Sequence, residues 1–153
     1  MVTSTDSESA PPADAAEAPK LELLGDLRMT KQRQVVFDVL MEQRDHPTAS
    51  EVFMRVKDRM PTISLATVYN CLETLSQCGV VKTVNVERGS ARYCPNQKDH
   101  AHFFCVECGA ITDVDLGDGQ TPTSGWQMPD GVQVDQFEVA FRGTCPSCAK
   151  KNI

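Results

Sequence analysis

Apolar side chains recur at the 3.6-residue spacing of helices in three stretches of the chain. The pattern predicts helices over residues 30–43, 48–60 and 64–79. Thr48 and Glu51 have the spacing of a capping box at the start of the second helix, and residues suited to N-capping open the other two. The side chains expected to form a shared core are Val36, Val39, Leu40, Val52, Phe53, Val56, Met60, Leu65, Val68, Leu72 and Leu75.

A strand pattern follows the third helix. It predicts a strand over residues 80–86, a turn over 87–90 and a returning strand over 91–94. Three helices followed by a β-hairpin is the order of a winged helix-turn-helix, in which the helix before the hairpin is the recognition helix.

The rest of the chain predicts a small second unit. Strands are expected over residues 101–105 and 110–114, a Gly- and Pro-rich loop over 117–131, and an alternating strand over 132–141. Because so few residues cannot bury an independent core, this unit requires a metal ion, a partner or both.

The N-terminus has a different composition. Residues 1–20 are rich in Ala, Pro, Ser and acidic residues, which predicts a disordered tail. Residues 21–27 favour a short helix that Gly25 weakens.

The chain has 153 residues and seven cysteines. This length suits one domain or two small ones rather than a large enzyme. No apolar run approaches the ~18 residues that span a bilayer, and the N-terminus lacks the regions of a signal peptide, so we expect a cytoplasmic protein. In that reducing compartment the cysteines indicate metal or redox chemistry rather than disulfides.

The net charge of -6 is unevenly distributed. Residues 1–20 carry -3 and residues 99–153 carry -5, whereas residues 21–98 carry eleven basic and nine acidic side chains. The predicted winged helix is therefore mildly basic, which permits contact with nucleic acid without proving it.

Two Cys-x-x-Cys pairs carry the strongest chemical pattern, Cys105 with Cys108 and Cys145 with Cys148. Four thiolates form the closed tetrahedral site that structural Zn²⁺ prefers, and two redox dithiols are the alternative. A site with no open position and no neighbouring general base argues against a zinc hydrolase or deaminase.

A second constellation contains all three histidines of the chain. His100 and His102 face the same side of a predicted strand, whereas Cys105 has the opposite parity. Imidazoles with a thiolate and a carboxylate suit Zn²⁺, Fe²⁺, Mn²⁺, Co²⁺ or Ni²⁺, and a solvated polar face is the alternative. The candidate ligands are His46, Cys94, His100, His102 and Asp113.

The remaining cysteines, Cys71 and Cys78, lie on the third predicted helix and are interpreted as small core residues. The sequence contains no nucleophile–base arrangement, Gly-rich phosphate loop or HExxH motif. We therefore do not expect an enzyme.

Five segments of the sequence form a combination that is highly specific for one protein family. They are Arg28-Met-Thr30-Lys-Gln-Arg33, His46-Pro-Thr-Ala, Ser64-Leu-Ala-Thr-Val-Tyr69-Asn70-x-Leu72, Asp99-His-Ala-His102-Phe-Phe-Cys105-x-x-Cys108-Gly109 and Cys145-x-x-Cys148. On these segments the chain resembles the ferric uptake regulator family of bacterial metal-dependent transcription factors, over about residues 21–150.

The resemblance implies an α+β fold, with an N-terminal winged helix over residues 21–97 and a small α/β dimerisation domain over 98–153, after the tail 1–20. It implies a homodimer that binds an AT-rich palindrome of double-stranded DNA when metal is bound. Structural Zn²⁺ would bind the four paired cysteines. The implied regulatory ligands are His46, His100, His102 and Asp113.

Such a regulatory ion would be held by both domains. Its ligation would fix the orientation of the domains, and in a dimer that sets the spacing of the two recognition helices. The ion would then be an effector whose binding is coupled to DNA affinity.

Cys94 departs from the pattern of the iron- and peroxide-sensing branches, which carry an acid there, and matches zinc-sensing relatives. His46-Pro-Thr-Ala, Tyr69-Asn70 and Asp113 instead resemble the peroxide-sensing branch. That branch uses Fe²⁺ or Mn²⁺ and oxidises its ligand histidines, which are His46 and His100 here. An exposed Cys94 thiolate would be a further target of oxidation. We therefore favour peroxide or iron sensing. The alternative is a zinc-sensing uptake repressor in which Cys94 is a metal ligand.

Two other departures concern the dimerisation domain. Gln136 and Phe137 stand where many relatives have histidine, so no additional metal site is expected there. Residues 117–131 are poor helix formers where relatives have a dimerisation helix, so the dimer surface is expected to differ.

The resemblance points to the third predicted helix for DNA contact. Tyr69 would touch thymine methyl groups and Asn70 a base edge or phosphate, with a core position as the alternative for Tyr69. Further candidates for contacts to backbone or groove are Arg28, Thr30, Arg33, Ser64, Thr67 and Arg88.

The prediction is thus a cytoplasmic, homodimeric, metal-dependent repressor with no membrane partner. A remote alternative is a zinc-stapled interaction module that does not bind DNA.

Overall fold

The computed structural model of the protein describes residues 27–152. The predicted tail over 1–20, and all but the last residue of the predicted helix over 21–27, lie outside the described residues. The elements are α1 (Lys31–Glu42), α2 (Ala49–Arg59), α3 (Leu65–Gln77), β1 (Lys82–Val84), β2 (Arg92–Cys94), β3 (His100–Cys105), β4 (Ile111–Asp115), β5 (Ala140–Gly143) and α4 (Pro146–Lys151).

The three predicted N-caps are confirmed. Thr30 accepts a hydrogen bond from the backbone N–H of Arg33, and Ser64 accepts one from Thr67. Thr48 and Glu51 form a full capping box, in which each side chain accepts from the backbone N–H of the other residue. These bonds satisfy backbone donors that the first turn of a helix leaves without partners, so they fix where α1, α2 and α3 begin.

Replacing Thr48 with alanine is expected to lower the free energy of unfolding by about 1 kcal/mol, because the capping box loses its hydroxyl acceptor. Urea unfolding of Thr48→Ala measures this change. Ser50→Ala is the matched control, since Ser50 is exposed in the same turn. Equal losses for the two variants would contradict the role assigned to the cap.

The helical unit, residues 27–94, packs α1, α2 and α3 around one core. Val36, Leu40, Val52 and Leu72 have no exposed surface at all. The core of the helical unit consists of Val36, Phe37, Val39, Leu40, Ala49, Val52, Val56, Ile63, Val68, Cys71, Leu72, Leu75, Val80, Val81 and Tyr93.

Two expectations about this core are wrong. Leu65 is 38% exposed, because it is the first residue of α3 and precedes the first fully buried residue of that helix, Val68, by almost one turn. Cys78 is exposed, because it caps the C-terminus of α3 instead of facing the core. Gly79 follows with a φ of 73°, a left-handed conformation that ends the helix as predicted.

The predicted hairpin forms the wing. β1 pairs with β2 antiparallel, with Thr83 opposite Tyr93. The first strand is shorter than expected, because Val80 and Val81 enter the core of the helical unit before the strand begins. Three helices followed by this hairpin confirm the winged helix-turn-helix.

The sheet unit, residues 100–152, is built on a three-stranded sheet with β3 at its centre. β4 pairs with β3 antiparallel and places Asp113 opposite His102, while β5 pairs with β3 in parallel. The strand expected over 132–141 is largely wrong, because only residues 140–143 reach β3 and pair with it. The expected loop over 117–131 is confirmed.

The fold is therefore α+β, as predicted. Among residues 27–152, no helix has the length and apolar character required to span a bilayer.

Candidate metal centres

The first centre joins the two Cys-x-x-Cys turns. The four sulfur atoms of Cys105, Cys108, Cys145 and Cys148 all lie within 4.8 Å of one another. Cys105 ends β3, and Cys145 precedes α4, which begins at Pro146. The cluster therefore ties the central strand to the last helix across forty residues of chain.

The electrostatics of the first centre fit a bound cation. Backbone N–H groups of Cys108 and Cys145 lower the pKa of the Cys105 thiol, and the N–H of Cys145 lies 3.3 Å from its sulfur. Contact with Cys145 and burial raise the pKa of Cys148. A bound cation would balance the charge of these thiolates, and a closed set of four thiolates is the ligand set of structural Zn²⁺.

The second centre lies where the helical unit meets the sheet unit. Oδ1 of Asp113 is 2.7 Å from Nε2 of His46, 3.4 Å from that of His100 and 3.3 Å from that of His102. The thiol of Cys94 is 3.5 Å from Nε2 of His100 and 3.8 Å from Oδ1 of Asp113. All five predicted ligands therefore come together.

The ligand atoms of four of these residues lie within 4.8 Å of one another, namely His46, Cys94, His102 and Asp113. His100 touches Cys94, His102 and Asp113 from the edge of this set, with 3.1 Å between its Nε2 and that of His102.

Three strands and one turn bring these side chains together. His100 and His102 project from the same face of β3, and the register with β4 places Asp113 opposite His102. Cys94 ends the wing strand β2, while His46 lies in the turn between α1 and α2. Two ligands thus come from the helical unit and three from the sheet unit.

His46 is held in an unusual backbone conformation. Its φ is 54°, which is uncommon for a residue other than glycine and costs free energy that neighbouring contacts must offset. Arg92 donates a hydrogen bond to its carbonyl at 3.2 Å, and the N–H of Tyr93 donates to Pro47 at 3.0 Å. The wing strand that carries Cys94 therefore also fixes the position of His46.

Hydrogen bonds orient the imidazoles toward the centre. Nδ1 of His100 lies 2.6 Å from the carbonyl of Lys98, so Nδ1 carries the proton and Nε2 faces the ligand cluster. Nδ1 of His46 is buried and has no hydrogen-bond partner among residues 27–152.

The ionisation of the centre is strongly coupled. Burial lowers the pKa of His46 and of His102, but contacts with Asp113 and Cys94 outweigh it and raise each pKa to about 9. Burial raises the pKa of Cys94, yet hydrogen bonds from the three histidines lower it to about 5.

Burial likewise raises the pKa of Asp113, while hydrogen bonds from His102, His46 and Asn96 lower it well below its usual range. A thiolate and a carboxylate therefore face protonated imidazoles at neutral pH. A divalent cation can replace those protons on the same ligand atoms, so the donor set fits Zn²⁺, Fe²⁺ or Mn²⁺.

A cavity of about 440 Å³ lies beside the second centre. His100 and His102 line it together with β1 and residues 135–139.

One expectation about the second centre is wrong. Cys94 is only 1% exposed, because the end of β2 is covered by the histidines of the centre, so its thiol is not an exposed oxidation target.

Two residues that the sequence analysis missed contact the ligands. Arg92 binds the carbonyl of His46, and Asn96 donates to Oδ2 of Asp113 at 2.9 Å. No periodicity or motif marks either residue, since their roles depend on contacts between segments distant in the chain.

The candidate DNA-contacting residues all belong to the helical unit. Tyr69 is 48% exposed on α3, so the alternative of a core aromatic is wrong, and Asn70 is exposed beside it. The hydroxyls of Thr30 and Ser64 cap α1 and α3, and Thr67 bonds to Ser64. The three candidate arginines are Arg28, Arg33 and Arg88. The guanidinium of Arg33 donates a hydrogen bond to the carbonyl of Arg28, and Arg88 lies at the wing turn.

Comparisons with known proteins agree with this arrangement. The model of the ferric uptake regulator family matches residues 25–141. The peroxide-responsive repressor PerR of Staphylococcus epidermidis is 30% identical over 125 residues, which are 82% of this chain and 83% of that protein.

Solved structures are similar as well. The Campylobacter jejuni peroxide stress regulator superposes with a TM-score of 0.66 at 30% identity, covering 76% of this chain and 88% of that one. The ferric uptake regulator of Francisella tularensis with iron has a TM-score of 0.61 at 21% identity, covering 82% of this chain and 96% of that one, and supports the fold alone.

Proposed function

Because the chain belongs to the ferric uptake regulator family, we propose that it is a metal-dependent transcriptional repressor that responds to peroxide or iron through an ion at the second centre. The observation that carries the proposal is the position of that centre. His46 and Cys94 belong to the helical unit, whereas His100, His102 and Asp113 belong to the sheet unit.

We propose the same division of the chain into domains that the family resemblance implies. The winged helix over residues 21–97 is the DNA-binding domain, and residues 98–153 form the dimerisation domain, with the acidic tail 1–20 before them. Zn²⁺ on Cys105, Cys108, Cys145 and Cys148 has a structural role, and Fe²⁺ or Mn²⁺ on the second centre has the regulatory role.

The ligand residues themselves supply the mechanism. When bound, the cation supplies positive charge that replaces the imidazolium protons and balances the charges of Cys94 and Asp113. His46 would hold the same ion as the histidines of β3, so the orientation of the winged helix relative to the sheet would be fixed. Loss or oxidation of a histidine ligand would release that constraint and weaken DNA binding.

We further propose that the protein acts in the cytoplasm as a homodimer on an AT-rich palindromic operator, as a regulator and not an enzyme. Two copies of α3 in a dimer would enter successive major grooves, with Tyr69 and Asn70 on the exposed face. Arg28, Arg33 and Arg88 would contact the backbone or the minor groove.

One observation favours a second candidate, a zinc-sensing repressor. The Cys94 thiol lies inside the set of four close ligands, and a thiolate with two imidazoles and one carboxylate suits tetrahedral Zn²⁺. The peroxide-responsive relatives favour the first candidate.

Tyr69→Ala is expected to weaken binding to the operator by about 1 kcal/mol or more, because the exposed ring would lose its contact with base edges. Fluorescence anisotropy with operator DNA and with unrelated DNA of equal length measures this effect. Binding to unrelated DNA should change little, since that binding depends on phosphate contacts. An equal loss on both DNAs would contradict base contact by Tyr69.

The repressor proposal is tested by a gel shift on the DNA upstream of the protein's own gene, with Fe²⁺, Mn²⁺ and Zn²⁺ added separately to the full chain. The proposal predicts a shift that requires one of these ions. If no ion produces a shift there or on a pool of random duplexes, the protein is better explained as a zinc-stapled interaction module.

A further inference from the structure

Asn96 lies in the loop that joins the two units. Its side-chain amide donates a hydrogen bond to Oδ2 of Asp113 at 2.9 Å, while Oδ1 of the same carboxylate faces the three histidines. The two oxygens of Asp113 are therefore distinguished, one facing the ligand cluster and the other held by Asn96.

The orientation of the Asn96 amide is fixed by a second bond. Its Oδ1 accepts from the backbone N–H of Lys98 at 3.1 Å, and a backbone N–H can only donate. The amide oxygen must face Lys98, so the NH₂ group must face Asp113. A flipped amide would lose both hydrogen bonds.

The same loop also carries ligands at both ends. Asn96 is two residues after Cys94 and four before His100. The backbone N–H of Lys98 donates to Oδ1 of Asn96, and the carbonyl of Lys98 accepts a hydrogen bond from Nδ1 of His100. Asn96 thus connects Asp113 to the turn that also orients His100.

Resting on the proposed regulatory role of the second centre, we infer that Asn96 is a positioning residue for its ion. By holding Oδ2, Asn96 makes Asp113 a ligand through Oδ1 alone. A carboxylate that binds through one oxygen keeps the number of ligand atoms low, whereas one free to bind through both oxygens raises it. Asn96 therefore acts on both the affinity and the coordination number of the centre.

The test uses Co²⁺ as a probe on the full chain that retains zinc on its four cysteines. Visible absorption reports both binding and coordination number, because four-coordinate Co²⁺ absorbs far more strongly than six-coordinate Co²⁺. Asn96→Ala removes both hydrogen bonds of the side chain. Asn96→Asp keeps the acceptor for Lys98 and removes only the donor to Asp113.

Both variants are expected to lose roughly tenfold or more in Co²⁺ affinity, and the absorption per bound ion should fall in Asn96→Ala. The added charge of Asn96→Asp would by itself strengthen cation binding, so a loss there reports the missing donor. Gln97→Ala is the matched control, since Gln97 lies in the same loop and donates to the carbonyls of Val80 and Pro95 instead of the centre. It should bind Co²⁺ like the unsubstituted chain.

The inference is overturned if Asn96→Asp binds Co²⁺ like the unsubstituted chain, because Asn96 would then act only through its turn with Lys98. It is equally overturned if Gln97→Ala loses as much affinity as the Asn96 variants. An unsubstituted chain that binds no ion at the second centre would overturn both this inference and the proposed function. Normal Co²⁺ binding without ion-dependent DNA binding would contradict only the proposed function.

Discussion

Cys108→Ser is expected to unfold the sheet unit while the helical unit stays folded. Structural Zn²⁺ contributes about 10 kcal/mol or more to small metal-stabilised domains, and three thiolates hold it far more weakly than four. The described sheet unit has little other stabilisation, because its buried apolar residues are only Ala101, Cys105 and Cys148. Cys108 itself is exposed, so its replacement removes a ligand without disturbing packing.

Zinc content, together with limited proteolysis, measures this effect. The variant should lose its zinc and become sensitive to cleavage after residue 100, whereas the core around Leu72 should remain protected. Cys78→Ser is the control, since Cys78 is also exposed and lies outside both centres. A Cys108→Ser chain that keeps one zinc per protomer and resists cleavage would contradict the structural role of the first centre.

Asp113→Ala is expected to abolish the dependence of DNA affinity on the regulatory ion. Oδ1 of Asp113 touches His46, His100 and His102, so its removal separates the ligand of the helical unit from those of the sheet unit. Coupling between an effector and DNA is typically worth about 5- to 150-fold in affinity, and the variant should lose that whole factor.

Anisotropy titrations of operator DNA with and without Mn²⁺ measure the coupling. Asp115→Ala serves as the control, because Asp115 is exposed two residues further along the same strand. Should Asp113→Ala respond to Mn²⁺ as strongly as Asp115→Ala, the second centre would not be the regulatory one.

Local physical rules made much of the helical unit predictable. The caps at Thr30, Thr48 and Ser64 depend on side chains that bond within their own turn, so the sequence contains the whole cause. The same holds for His100 and His102, since strand parity alone places both on one face.

The wrong predictions arise where contacts between distant parts of the chain determine the local structure. Val132 and Val134 alternate as strand residues do, yet each is more than 40% exposed, because no strand among residues 27–152 pairs with that segment. The left-handed backbone of His46 depends on Arg92, which is 46 residues away. No local pattern contains such contacts.

The role of Cys94 shows the same limit. Its residue type indicates a metal ligand or a redox target, but only its burial under three imidazoles removes the exposed-thiol interpretation. The choice between Fe²⁺ or Mn²⁺ and Zn²⁺ depends on the coordination of the ion, which we propose that Asn96 affects through its hydrogen bond to Asp113.

The most direct test of peroxide sensing compares operator affinity of the Fe²⁺-loaded and Mn²⁺-loaded chain before and after peroxide. Peroxide should release DNA from the Fe²⁺ form and leave the Mn²⁺ form bound, with oxygen added to His46 or His100 in the mass spectrum of the released protein. Three results together would contradict the proposed peroxide response: DNA binding that only Zn²⁺ supports, no effect of peroxide on that binding, and loss of the response to Zn²⁺ in Cys94→Ser. The protein would then be a zinc sensor.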